Sequence, residues 1–268
     1  MFPKVKFEVL GPVRGWHGTS ELDLGSPQQR AVLAMLLLAR GRQVSLDGLI
    51  GGLWGERLPR SAAGTIRTYI SRLRQCVDVQ AGGQDGQLIE SIGDGYVLRP
   101  GSAALDLDTF ERWLGEARAA RLRYDTARSA RLLRDALGLW RGVPLAGVPG
   151  PYADARRVPL TELRLAATQE KLAADIWLGD LSGAIAELRG LLAEHPFREE
   201  LGELLMLALY KSGRQAEALG VFGNVRQRLG DELGIDPGLS LQTMHQRILR
   251  ADHRLLDGAG TVGASLVA

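Results

Sequence analysis

The sequence predicts a mainly α-helical chain with a small antiparallel β component confined to its first hundred residues. Three observations carry that prediction. Val5, Phe7 and Val9 alternate with Lys4, Lys6 and Glu8, the period of a half-buried strand. Arg57–Val77 is rich in arginine and has its apolar residues at helical spacing, between a short helix and a Gly-Asp hairpin. Gly179-Asp-Leu-Ser-Gly-Ala184 returns 34 residues later as Gly213-Arg-Gln-Ala-Glu-Ala218, the period of a tetratricopeptide repeat of paired helices.

The elements follow in order. After the first strand, Gly11-Pro12 turns the chain, Val13–Trp16 forms a second strand, and Glu21–Leu24 alternates again. Ser26 caps a helix that begins with Pro27 and runs to about Arg40, because a side-chain oxygen at the cap and a proline in the first turn both suit a helix start. Ser45 caps a short helix over Leu46–Leu53, and Leu58-Pro59 breaks the chain before the arginine-rich helix. Ala81–Gly86 is a loop. Leu88–Ile92 and Gly95–Arg99 flank Gly93-Asp94 as a hairpin.

Arg57–Val77 contains five arginines and no acidic residue. Ile66, Ile70, Leu73 and Val77 share one face of the helix. Ser61, Gly64, Thr68, Ser71, Arg72 and Gln75 share the other, with Arg67 and Arg74 on the flank. Such a front can enter a DNA major groove, since arginine meets guanine edges or phosphates and Thr and Ser meet bases or backbone. By itself the stretch also fits a solvated amphipathic helix. Its neighbours decide.

Sheet, helix, helix, basic helix and hairpin make the order of a winged helix-turn-helix. Leu53-Trp-Gly-Glu56, Pro59, Thr65-Ile-Arg-Thr-Tyr-Ile-Ser-Arg-Leu-Arg74 and Gly93-Asp-Gly-Tyr-Val-Leu98 resemble the DNA-binding output domain of response regulators. The resemblance places the arginine helix in the groove. It implies Thr68 and Arg74 as leading DNA contacts, then Arg72 and Arg67, with Ser71 at shorter range. Arg60 at the helix start, Gln28 and Arg30 at the start of the first long helix, and Arg99 beyond the wing are candidates for the backbone. Tyr69 is expected in the core.

A compositional boundary falls at Arg99-Pro-Gly-Ser102, and from Leu107 onward nearly every segment reads as helix. Phe110, Trp113, Leu114 and Ala117 form one face; Leu160–Leu178 and Leu181–Glu194 are helices, and Gly142–Pro151 is a rigid loop. Tyr124-Asp-Thr-Ala-Arg-Ser-Ala130 is a degenerate earlier copy of the repeat. Asp106–Trp113, Tyr152–Arg164, His195–Leu201, Leu209–Leu219 and Leu233-Gly-Ile-Asp-Pro-Gly238 resemble the bacterial transcriptional activator domain. A winged helix followed by that domain resembles the Streptomyces antibiotic regulatory protein family, in its short, stand-alone form, because no G-x-x-x-x-G-K-[ST] of an appended ATPase occurs. The expected domains are a winged helix over 1–101, tetratricopeptide-like helices over 106–250, and a disordered, small-residue-rich tail over 251–268.

Composition narrows the remaining classes. The chain is 45% apolar and 24% charged, the make-up of a globular protein. Residues 1–100 carry 12 Lys/Arg against 9 Asp/Glu and the rest 21 against 22, so the basic excess lies with the winged helix. One cysteine, Cys76, permits no internal disulfide and fits a small core position in a reducing, cytoplasmic compartment. The four histidines lack metal-ligand spacing, Glu199-Glu200 reads as a solvated helical face, and no nucleophile motif is present, so no catalytic residue, cofactor or metal is expected. The longest apolar run is too short for a membrane.

The family resemblance implies an activator of secondary-metabolite (antibiotic) gene clusters. It implies binding of double-stranded promoter DNA at direct repeats near the −35 element by side-by-side protomers. It further implies recruitment of RNA polymerase through the primary sigma factor and neighbouring core subunits. A helical-repeat interaction scaffold and a promoter-occluding repressor are the alternatives.

Overall fold

The computed structural model describes residues 5–78, 88–99 and 103–256. The expected loop over 81–86 and the tail from 257 lie outside them. The chain packs as two compact units, one of residues 1–116 with 134–167 and the other of 117–133 with 168–268. This division differs from a single cut near residue 101.

In the first unit, β1 (Val5–Glu8), β2 (Arg14–His17) and β3 (Ser20–Glu21) form an antiparallel meander. Then come α1 (Pro27–Leu38), β4 (Val44–Ser45), α2 (Leu46–Trp54) and α3 (Ala62–Asp78). The hairpin β5 (Ile89–Ile92) and β6 (Gly95–Leu98) follows, then β7 (Ala103–Leu105). Two sheets result, ordered β3-β2-β1-β7 and β4-β6-β5. The sequence did not announce β4 or β7. Each is two or three residues long and exists through its partner, β7 lying parallel to β1 and β4 antiparallel to β6.

Ser26 Oγ accepts from the Gln29 amide and Ser45 Oγ from Gly48, capping α1 and α2 as expected. Ala31–Leu37 are all buried, so α1 is the central helix on which α2 and α3 pack. Gly52 permits the close approach of α2, since a Cβ there would sit 2.5 Å from Met35 Sδ. Beyond β7 run α4 (Asp106–Leu122) and α5 (Thr126–Leu137). The buried Asp106 carboxylate accepts from the amides of Val9 at 2.9 and 3.0 Å, Leu10 at 3.0 Å and Leu107 at 2.8 Å. It thereby joins the end of β1 to the start of α4. Burial pushes its pKa up to about 6, overriding those three donors. The next helix, α6 (Pro151–Leu178), begins nine residues before the expected Leu160, with Pro151 at its start and Pro159 carried inside it.

The second unit is built from α7 (Leu181–Glu194), α8 (Glu199–Lys211), α9 (Gln215–Leu233) and α10 (Leu239–Leu249), with the last part of α6 and the α4–α5 turn. Four turns share one geometry. Tyr124, Gly179, Gly213 and Ala251 all have left-handed φ, of 60°, 90°, 78° and 51°. After each, the next amide reaches back five residues: Asp125 to Ala120, Asp180 to Asp175, Arg214 to Leu209 and Asp252 to Arg247. Five residues past the first three lie the buried small residues Ser129, Ala184 and Ala218. The repeat thus includes the degenerate copy at Tyr124. Residues 251–256, expected in the tail, are folded: they contain a 3-10 turn (His253–Leu255) with Leu255 buried, and Lys211 Nζ donates to the Leu255 and Leu256 carbonyls. Glu199, expected on a solvated face, is half-buried and accepts from the Gly238 amide at 2.6 Å, at the residue that precedes α10.

Candidate nucleic-acid interface

The interface is built on α3. Ile66, Ile70, Leu73 and Val77 are fully buried against α1 and α2, which fixes the helix about its own axis. The opposite face is exposed at Ser61, Gly64, Arg67, Thr68, Ser71, Arg72 and Gln75. By helical rotation, Gly64, Thr68 and Ser71 form a narrow strip of short side chains with the longer Gln75 among them toward the C-terminal end, bounded by Arg67 on one edge and Arg72 on the other. The side chains of Arg60, Arg67 and Arg72 are exposed and make no hydrogen bond or ion pair among the described residues. The first turn of α3 holds no acidic residue, so the positive end of its dipole is unopposed. The arrangement is an electropositive ridge with a low centre, suited to a polyanion.

The other expected contacts differ in how they are held. Thr68 is exposed and its hydroxyl donates to the Gly64 carbonyl at 3.0 Å, leaving its oxygen as an acceptor. Arg74 is half-buried. Its Nε donates to the Ile89 carbonyl at 2.9 Å, its Nη2 to Ser91 Oγ at 2.9 Å, and its guanidinium lies 5.9 Å from the centre of the Tyr96 ring. The structure therefore ties Arg74 to the hairpin through two of its five N–H donors. Arg99 pairs with Glu90 across the same hairpin. Gln28 is exposed at the start of α1, and its Oε1 accepts from the Tyr69 hydroxyl at 2.6 Å, leaving the amide NH2 outward-capable. Arg30 is half-buried and donates to the Gly25 carbonyl at 3.2 Å. Tyr69 is thus only partly buried, its apolar body inward and its hydroxyl on the Gln28 side. Cys76 is also half-buried, donating to the Asp23 carbonyl, and burial pushes its thiol pKa up.

The wing is held at its base as well. Gln43 Nε2 donates to the Ile92 carbonyl at 2.9 Å and to Asp94 Oδ1 at 3.0 Å. Gly95 lets β6 pass β4, because a Cβ there would lie 2.3 Å from the Val44 carbonyl oxygen. Gln43, Ser91 and Tyr96 were not singled out from sequence. Their role comes from contacts across 17 to 51 residues, and no local pattern signals it.

An exposed basic helix seated on two others and flanked by a braced hairpin defines the class: a winged helix-turn-helix regulator. Residues 20–98 match the family described as transcriptional regulatory protein, C terminal, and residues 105–249 the bacterial transcriptional activator domain. The chain belongs to the Streptomyces antibiotic regulatory protein family. It is 49% identical to regulatory protein AfsR of Streptomyces griseus over 94% of this chain, and spans 25% of that protein's length. Regulatory protein DnrI of Streptomyces peucetius is 33% identical over 92% of this chain and 93% of its own. Mycobacterium tuberculosis EmbR, solved in complex with a low affinity phosphopeptide, superposes with a TM-score of 0.85 at 36% identity, covering 92% of this chain and 65% of that one. Among the described residues no helix is long and apolar enough to cross a membrane, and no group of His, Cys, Asp and Glu could hold a metal ion.

Proposed function

We propose that this protein is a sequence-specific DNA-binding transcriptional activator of a secondary-metabolite gene cluster, working in the cytoplasm on the nucleoid. The winged helix binds direct repeats near the −35 element, two or more protomers lie side by side, and the helical domain recruits RNA polymerase through its primary sigma factor and neighbouring core subunits. Relatives named as regulators, AfsR and DnrI, support the regulatory part. The observation that carries DNA binding is the α3 ridge, where Arg67 and Arg72 bound a strip of short side chains and have no counter-ion among the described residues.

In this reading α3 lies in the major groove, with Thr68, Ser71, Arg67 and Arg72 toward base edges and phosphates. Arg60 and the Gln28 amide reach the backbone. Arg74 and Arg99 act on DNA through the wing they brace. The scaffold alternative draws no support from α8, whose residues Leu201–Tyr210 are all buried and present no open face to a peptide.

Selection from a random duplex library tests the reading. Enriched sequences should contain head-to-tail repeats about one helical turn, ~10.5 bp, apart. Arg67→Ala and Arg72→Ala should each weaken binding, and a lost phosphate contact should lower the salt slope by about 0.9. Binding that ignores salt, or no enrichment, sinks the proposal. Transcription with purified polymerase then separates activator from repressor, since an activator raises the transcript.

A further inference from the structure

The second unit carries one feature that its fold does not account for. At the left-handed position of the repeated turn, two of the other copies have glycine, Gly179 and Gly213, and the last has the small Ala251. Glycine takes that conformation without steric cost, whereas a residue with a Cβ does so at a penalty. The α4–α5 turn places a tyrosine there. Tyr124 has φ 60° and is 84% exposed, so its ring repays none of that penalty by packing. Two residues before it, Leu122 is 79% exposed. A strained, outward aromatic next to an outward leucine points to a use outside the chain.

The charge around them is one-sided. Between residues 117 and 134 stand Arg118, Arg121, Arg123, Arg128, Arg131 and Arg134 against Asp125 alone. Arg118 is taken by Glu170. Arg123, Arg128 and Arg131 are exposed and Arg121 half-exposed, and none of their side chains has a hydrogen bond or ion pair among the described residues. The Asp125 carboxylate, exposed in the same turn, is engaged at the start of α5, where it accepts from the Arg128 amide at 3.0 Å.

We propose that the α4–α5 turn is a docking knob for an acidic protein surface with an apolar pocket, on the transcription machinery. Tyr124 and Leu122 enter the pocket, and Arg121, Arg123, Arg128 and Arg131 meet the carboxylates around it. Tyrosine and arginine are the residue types in which interface binding energy concentrates. Nucleic acid is the weaker match, because phosphate contact needs the arginines but gives no reason for an exposed leucine beside a strained tyrosine. The inference rests on the reading that the chain engages RNA polymerase, and it adds the surface by which it does so.

The test uses the full chain, a duplex selected for binding, and purified RNA polymerase holoenzyme. Tyr124→Gly restores the residue that the sibling turns use, so its melting temperature should stay equal or rise. A second variant, Arg123→Glu with Arg131→Glu, leaves the turn's backbone alone. Both should keep wild-type affinity for the duplex. Both should bind polymerase on that duplex at least about tenfold more weakly, with a matching fall in transcript. Variants that hold polymerase as the wild type does overturn the knob while leaving the broader function standing. An equal loss of duplex affinity overturns it in favour of a DNA contact. A wild-type chain that never holds polymerase removes the broader reading and the knob with it.

Discussion

Replacing Arg74 by alanine separates a residue that reads DNA from one that holds the reader in shape. The substitution removes two hydrogen bonds, to the Ile89 carbonyl and to Ser91 Oγ, and the contact over the Tyr96 ring. For a half-buried guanidinium each hydrogen bond contributes about 1 kcal/mol, and the ring contact about 0.5 kcal/mol. The wing should therefore be less firmly fixed by roughly 2–2.5 kcal/mol. Urea unfolding of the variant should show that loss. Gel shifts over a series of salt concentrations should show weaker binding with an unchanged salt slope and unchanged base preference, because no phosphate or base contact has gone. Arg74→Lys keeps the charge but not the two-pronged grip, and should resemble alanine more than wild type. A variant of wild-type stability whose salt slope drops by about 0.9, or whose preference relaxes at one base pair, would refute the brace.

Three further outcomes follow from the geometry. Gly95→Ala forces a methyl against the Val44 carbonyl at 2.3 Å, so β4 must part from β6; a destabilisation of about 2 kcal/mol or more is expected, read from the urea midpoint. Tyr69→Phe removes the 2.6 Å bond to Gln28 and should cost about 0.5–1 kcal/mol at this exposed site, with a few-fold loss of duplex affinity, whereas unchanged affinity would detach Gln28 from the interface. Asp106 gives a pH dependence. Burial raises its pKa from the ordinary 3.8 to about 6, so between those values the folded chain holds a proton that the unfolded chain has released. Its contribution is fully present below about pH 4 and is lost as pH rises through 6, an effect of up to about 3 kcal/mol. Asp106→Asn cannot titrate, so stability at pH 4.5 relative to pH 7.5 should be greater in the wild type than in the variant by up to that amount; an equal difference in both would refute the buried-carboxyl account.

The sequence alone determined what is written in neighbouring residues. Ser26 with Pro27, and Ser45, mark helix starts because a cap needs only the next three residues. The α3 stripe of Ile66, Ile70, Leu73 and Val77 fixed both its buried face and the face left exposed. The Gly179 and Gly213 copies disclosed the paired helices, since glycine takes the left-handed turn position without steric cost.

The tertiary structure decided what depends on a distant partner. By rotation Arg74 sits at the edge of the basic face, and only the hairpin, brought against α3, shows its guanidinium spent on Ile89 and Ser91. The alignment of β7 with β1 and the burial of Asp106 under the amides of Val9 and Leu10 are contacts across nearly a hundred residues. Pro159 reads as a helix breaker in sequence, yet α6 passes through it. Tyr124 looked like a faded repeat residue until its exposure and its left-handed backbone stood beside those of its glycine counterparts. At Tyr124 neither the backbone strain nor the exposure is written in the neighbouring residues, so only the folded chain records them.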